Sequence, residues 1–200
     1  MVDLLPEGSF MKVGVLALQG DFREHINAVG TCGHIPIEVR RVSELNAVDA
    51  LILPGGESTT ISHLAQIFLL FEPIKVAIAG GLPVYGSCAG MILLAERILD
   101  GTENQKTFGG LDITVRRNAF GRQVDSFESD LEFNGKSLHA VFIRAPWVES
   151  VGAGVEVFST AADHPVAVRQ GNLLATSFHP ELTEDLAVHR YFFEEICKGR

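Results

Sequence analysis

Cysteine is scarce in this 200-residue chain: Cys32, Cys88 and Cys197 are the full set. Three dispersed sulfurs exclude a disulfide framework and a cysteine-built zinc site, and they point to a reducing, cytoplasmic setting. Positive charge is the minority, with 16 Lys and Arg against 25 Asp and Glu and a formal net charge of −9. No basic stripe is present, so nucleic acid is excluded as a partner. Apolar runs fall well short of the roughly 20 residues that a membrane helix needs. Internal repeats, low-complexity tracts and linkers are missing too. What is present is 46% hydrophobic residues, enough for one domain that buries about 70% of its unfolded surface.

Residues 1–10 stand apart. They lack the basic start and long apolar core of a signal peptide, and Met11 directly precedes the first clear strand. Residues 1–10 are read as an extension or an expression remnant, and residues 11–200 as a single domain.

The first half alternates strand and helix. Lys12 to Leu18 is an almost unbroken apolar run, as in a strand buried on both faces of a parallel sheet. Asp21 and Glu24 have the spacing of a helix start, and the helix runs to about Cys32. A weak strand follows at Ile37 to Arg41 and a strong one at Val48 to Leu53. Helices are expected over Ser58 to Phe68 and Glu72 to Ala79, then a strand over Pro83 to Ser87. This alternation predicts an α/β fold: a doubly wound, mostly parallel or mixed sheet with helices on both faces. After Leu111 come short strands at Ile113 to Arg117, Leu131 to Phe133, Leu138 to Ile143, Val155 to Ser159, Val166 to Arg169 and Leu173 to Ser177. A last amphipathic helix is expected from Glu184 to Cys197.

Gly86-Ser87-Cys88-Ala89-Gly90 closes an apolar strand and opens an apolar helix. Glycines two residues either side of a cysteine have the spacing of a nucleophile elbow. A helix N-terminus favours thiolate, the reactive form of cysteine. The bland alternative is a buried cysteine that packs as a small hydrophobe. A cysteine nucleophile needs a base with an orienting partner. His179 has the best context, at the end of the Leu173 to Phe178 strand, where Pro180 holds it extended and Glu181 projects to the same side. Equally, His-Pro-Glu could simply begin a helix, with Glu181 as a first-turn charge. The other six histidines, at positions 25, 34, 63, 139, 164 and 189, read as surface or partly buried groups. None has a metal-ligand spacing.

An oxyanion from thiolate attack needs donors. Ala89 N–H offers one, and Pro54-Gly55-Gly56-Glu57-Ser58 offers a second source, unless it is only a turn capped by Ser58. Arg144 closes an apolar strand, which suits either a substrate carboxylate or emergence into solvent. Arg116 to Gln123 reads as a cationic loop, fit for an anionic ligand or for plain solvation.

Taken together, Gly14 to Asp21, Leu53 to Thr60, Gly86 to Gly90, Arg117 to Gln123, Phe142 to Pro146 and Ser177 to Thr183 resemble the class I (triad-type) glutamine amidotransferases, which have a flavodoxin-like architecture. Within them the chain is similar to the glutaminase subunits of pyridoxal 5′-phosphate synthase. The elbow and His-Pro-Glu indicate only the class. Glu57-Ser58-Thr59-Thr60, the Arg117 loop and Ile143-Arg144-Ala145-Pro146 indicate the subfamily. The resemblance implies a Cys88, His179, Glu181 triad that hydrolyses L-glutamine through a glutamyl thioester, with oxyanion donors from Gly56 and Ala89. It implies that Gly56, Glu57, Ser58, Arg117, Ile143 and Arg144 hold glutamine, and that no cofactor or metal is required. Ammonia would pass to a (β/α)8-barrel synthase subunit, whose docking would complete the oxyanion hole.

Three rivals remain at this level. One is a glutaminase feeding another ammonia-using synthase. A second is a non-glutaminase cysteine hydrolase or chaperone on the same scaffold. The third is a regulatory domain that has kept the fold.

Overall fold

A computed structural model describes residues 10–102, 105–120 and 126–198. Most of the extension at 1–10 therefore lies outside the described residues, as do Gly121, Arg122 and Gln123 of the expected cationic loop. The first half runs β1 (Lys12–Leu16), α1 (Phe22–Thr31), β2 (Ile35–Val39), α2 (Val42–Leu45), β3 (Ala50–Leu53), α3 (Ser58–Ile67), α4 (Phe71–Ala79), β4 (Val84–Ser87) and α5 (Ala89–Leu94). The second half adds β5 (Ala95–Leu99), β6 (Leu111–Arg116), β7 (Ser126–Phe133), β8 (Lys136–Ile143), β9 (Trp147–Val151), β10 (Glu156–Ala161), β11 (His164–Gln170) and β12 (Leu173–Thr176). It closes on a 3-10 turn at Pro180–Leu182 and α6 (Ala187–Tyr191), which widens into a π turn over Phe192–Ile196.

Seven strands form the main sheet in the order β10-β11-β12-β4-β3-β1-β2. From β2 to β12 the ladder is parallel, and β11 and β10 add antiparallel. The parallel part has the 2-1-3-4-5 order of a flavodoxin-like sheet, in which functional groups gather beyond the carboxyl ends of the strands. The expected doubly wound architecture is thus present.

Alternation along β3 shows how the sheet divides the core. Leu51 and Leu53 face Ile61, Ile74 and Met91 from the α3, α4 and α5 side. Ala50 and Ile52 face Val29, Phe142, Phe178 and Phe192 on the other. All four β3 residues are buried, the reason the run reads as continuously apolar.

Beside α2 and β9, which were not expected, two departures concern helices next to the site. The apolar run after Cys88 ends as helix at Leu94, because Ala95 turns to extended backbone (φ −68°, ψ 142°) and begins β5. β5, β6 and β9 then form a separate three-stranded sheet. The last helix starts at Ala187 rather than Glu184. There the Asp185 carboxylate accepts from Ala187 N at 2.8 Å, a local turn that competes with an earlier start.

Candidate active site

Three neighbouring strand ends build one cleft. β4 pairs with β3 on one side and with β12 on the other, and Ser87 lies opposite Thr176 in the ladder. Cys88 after β4, Gly55 and Gly56 after β3, and His179 after β12 therefore converge by topology alone.

Cys88 has φ 47° and ψ −98°, a left-handed conformation that costs a non-glycine residue of order 1–3 kcal/mol and persists only where its surroundings enforce it. Here Cys88 N donates to Thr176 O at 2.7 Å. Tight packing on both sides supplies the rest. A Cβ on Gly86 would stand 2.5 Å from the Gly90 carbonyl carbon.

His179 Nδ1 donates to Glu181 Oε1 at 2.8 Å, and Cys88 engages the same ring by hydrogen bond and charge. Burial alone would depress the imidazole. The bonds to Cys88 and Glu181 outweigh it and push His179 up to about 11. Burial likewise opposes ionisation of Glu181, yet His25 and His179 hold its carboxyl well below the usual range. The pairing of His179 with Glu181 stands as expected, but the backbone reason differs. Pro180–Leu182 is a 3-10 turn rather than extended chain, so the segment begins a helical turn while Glu181 still reaches the His179 ring.

The cleft, about 370 Å³, is lined by Gln19, Asp21, Gly56, Glu57, Ser58, Cys88, Ile92, Arg117, Asn118, Ile143, Arg144 and His179. Eight of the ten expected site residues thus meet there; Ala89 is buried beneath the elbow and Glu181 behind His179. Ser58 does not cap α3. That role falls to Glu57, whose carboxylate accepts from Thr59 N and Thr60 N. Burial would raise the Glu57 pKa, but hydrogen bonds from Thr60 and Thr59 outweigh it and hold the carboxyl low.

The two arginines differ. Arg117 Nη2 donates to Glu57 Oε1 at 2.9 Å, and Nη1 donates to Gln105 Oε1 at 2.7 Å. Gln105 Nε2 in turn donates to Ser58 Oγ at 2.8 Å. Arg144, at φ 43°, is exposed at the end of β8 and lines the cleft without a carboxylate partner among the described residues. It both emerges toward solvent and faces the site.

Asp21 does not cap α1 as its spacing suggested. Its Oδ2 lies 3.6 Å from His179 Nδ1, and burial pushes its carboxyl up. Asp21, His179 and Glu181 offer three ligand atoms within 4.8 Å of one another. A cation there would compete with the His179–Glu181 hydrogen bond.

Sequence reasoning also passed over His25 and His189. Expected to be surface or partly buried groups, both are fully buried beside Glu181 and Ser87. The available signal was their position on the apolar faces of α1 and α6.

A family model described as the SNO glutamine amidotransferase family matches residues 15–198. A protein of Parafrankia sp. (strain EAN1pec), named pyridoxal 5′-phosphate synthase subunit PdxT, is 63% identical over 188 residues, covering 92% of this chain and 93% of the relative. One of the same name from Mycobacterium ulcerans (strain Agy99) is 60% identical over 197 residues, covering 96% and 99%. A solved structure titled as a glutamine amidotransferase superposes with a TM-score of 0.86 at 53% identity, covering 91% of this chain and 97% of its own. PurLQS from Thermotoga maritima shares the fold, with a TM-score of 0.66 at 16% identity over 92% of this chain and 97% of its own.

Proposed function

The chain belongs to the SNO glutamine amidotransferase family, and from that premise we propose that Cys88, His179 and Glu181 are the triad that releases ammonia from L-glutamine. The observation that carries the reading is the short His179–Glu181 bond on a ring that also engages Cys88, at the strained elbow lining the cleft.

In the proposed reaction the Cys88 thiolate forms a bond to the side-chain amide carbon of glutamine, and the carbonyl electron pair moves to oxygen. Gly56 and Ala89 N–H groups stabilise that oxyanion. Collapse breaks the carbon–nitrogen bond, and His179 delivers its proton so that ammonia leaves. His179 then takes a proton from water, which attacks the thioester. The thiolate departs, and glutamate is released. Glu181 keeps the Nδ1–H tautomer of His179 throughout, so that Nε2 does the proton transfer.

Substrate recognition follows from charge. Arg144, without a carboxylate partner among the described residues, takes the α-carboxylate of glutamine. Glu57, with its low pKa, offers a negative group for the α-ammonium, held in place by Arg117. Ser58 and Ile143 complete the hold on the substrate.

Relatives at about 60% identity are named as subunits of pyridoxal 5′-phosphate synthase, and this chain is read as the glutaminase subunit of such an enzyme, serving vitamin B6 biosynthesis. Its ammonia passes to a separate synthase subunit, read as a (β/α)8 barrel in the cytoplasm, whose docking completes the oxyanion hole. No described helix is long and apolar enough to cross a membrane alone.

The test is glutamate release from L-glutamine with and without the cognate synthase, using Cys88→Ala as the blank. Synthase-dependent release that vanishes in the variant is expected. No release under either condition would remove the glutaminase reading and favour another cysteine hydrolase.

A further inference from the structure

The triad carboxylate is itself held from behind. Ser87 Oγ donates to Glu181 Oε1 at 3.2 Å. His25 Nε2 lies 3.0 Å from Ser87 Oγ and 3.5 Å from Glu181 Oε1. His25 Nδ1 lies 3.0 Å from His189 Nε2. Ser87, His25 and His189 are all fully buried, and they come from β4, α1 and α6. None of them lines the cleft, so none contacts the reacting atoms in the proposed chemistry.

Buried polar groups of this kind are costly unless each proton has a destination. The directions can be worked out from His189. Burial, and with it any charge on His25, pushes its pKa down to about 3, so the ring is neutral and carries one N–H. Its Nδ1 is buried with no partner. An orphaned buried N–H is rarer than an orphaned acceptor, which places the proton on Nε2, donating to His25 Nδ1. His25 then carries its own proton on Nε2, aimed at Ser87 Oγ and Glu181 Oε1, and Ser87 passes its hydroxyl proton to that same oxygen. Every donor runs toward the oxygen that accepts from His179 Nδ1.

Tyr85 packs edge-on against both rings and stays a neutral phenol, its pKa raised by burial. Asp21, Glu181 and His179 are the other ionisable groups acting on this cluster from the β1–α1 loop and the segment after β12.

We propose that His25 is a positioning residue of the triad: directly and through Ser87 it fixes the Glu181 carboxylate, so that Oε1 holds the working tautomer of His179. His189 in turn fixes the tautomer of His25. The inference rests on the triad reading above and deepens it, extending the functional unit to residues on α1 and α6.

The experiment compares wild type, His25→Leu, His25→Gln and Ser87→Ala, each with the cognate synthase present. Three quantities are measured: the pH profile of kcat/KM for glutamate release, the pH profile of Cys88 alkylation by iodoacetamide, and the melting temperature. His25→Leu is expected to lose about 10–100-fold in kcat/KM, the usual scale for removing an orienting partner. The acid limb of both profiles should move up, since the carboxylate has lost donors. His25→Gln keeps a donor near the Nε2 position and should recover most of the loss. If His25→Leu does not fold, Ser87→Ala carries the same expectation. A folded His25→Leu with unchanged rate and profiles would overturn the proposal. So would equal losses in His25→Leu and His25→Gln with unmoved profiles, which is the signature of packing alone. If wild type itself releases no glutamate, the glutaminase reading fails, while the alkylation profile still decides whether His25 acts on the Cys88–His179 pair.

Discussion

Gly90 sits so close to Leu53 that a methyl group on its α-carbon would stand 2.3 Å from the Leu53 carbonyl oxygen. That contact ties the helix after the nucleophile to the strand that feeds the glycine loop. It is backbone against backbone, so no rotamer change can relieve it. Gly90→Ala is expected to lose about 1–3 kcal/mol of stability, and Cys88 should be alkylated more slowly than in wild type in whatever fraction remains folded. Denaturant melts with a thiol-labelling assay check both.

Gly55 has a different neighbour. A Cβ there would meet His179 Cε1 at 2.5 Å and Nδ1 at 2.8 Å. The obstacle is a side chain that can move, so the fold should tolerate the change while the base is displaced. Gly55→Ala is therefore expected to cost about 100-fold in kcat, the penalty of misplacing a reacting group by about 1 Å. Its melting temperature should stay near that of wild type. A variant equally stable and equally active would show that His179 does not work from the observed position.

These contacts explain how much could be read in advance. Small residues flanking Cys88, and a histidine placed after an apolar strand, are local patterns with a local cause, and both lie where the spacing put them. The positions of His25 and His189 were less legible, although Phe22, His25, Ala28 and Val29 repeat at helical spacing and His189 precedes Phe192 and Phe193 by three and four residues. A histidine within a helix reads as a surface or partly buried group unless a buried partner is known. Its partner, Glu181, is distant in sequence, and only the fold brings them together. β5 escaped for another reason. Ala95 to Leu99 sets two charged residues, Glu96 and Arg97, among apolar ones, a pattern that also suits a continuing helix, and nothing local marks the change of backbone at Ala95. Gln105 sits in an irregular stretch between β5 and β6, where composition gives no sign of a partner.

Gln105 supplies a test of substrate holding. Its amide bridges Arg117 and Ser58, and the Arg117 bond is charge-assisted. Losing a hydrogen bond to a charged group costs about 1.5–3 kcal/mol, or roughly tenfold in affinity at the lower end. Gln105→Leu is expected to raise KM for glutamine by about that factor with kcat little changed, the pattern of lost uniform binding. A fall in kcat with unchanged KM would contradict the role given to Arg117 and Ser58.

Stability should carry the marks of two histidines of opposite sign. The folded pKa of His179 is raised, from an ordinary 6.5 to about 11, so its contribution is complete below pH 6.5 and is lost as pH rises toward 11. His189 is depressed, from 6.5 to about 3. The unfolded chain binds its proton first, so stability falls as pH drops from 6.5 toward 3. Glu181, held low, adds a second acid loss that begins only below its ordinary 4.5. Melting temperature should therefore fall on both sides of about pH 6.5. The two arms can be separated by substitution. His189→Gln removes a group that must shed its proton to fold, so its curve should be flatter than wild type between pH 6.5 and 4.5. His179→Gln should leave that acid arm in place and flatten the alkaline one. Thermal melts of the three proteins across pH 4–10 would decide it. An unchanged acid arm in His189→Gln would mean that His189 is protonated in the fold, contrary to the neutral ring from which the donor chain toward Glu181 is worked out.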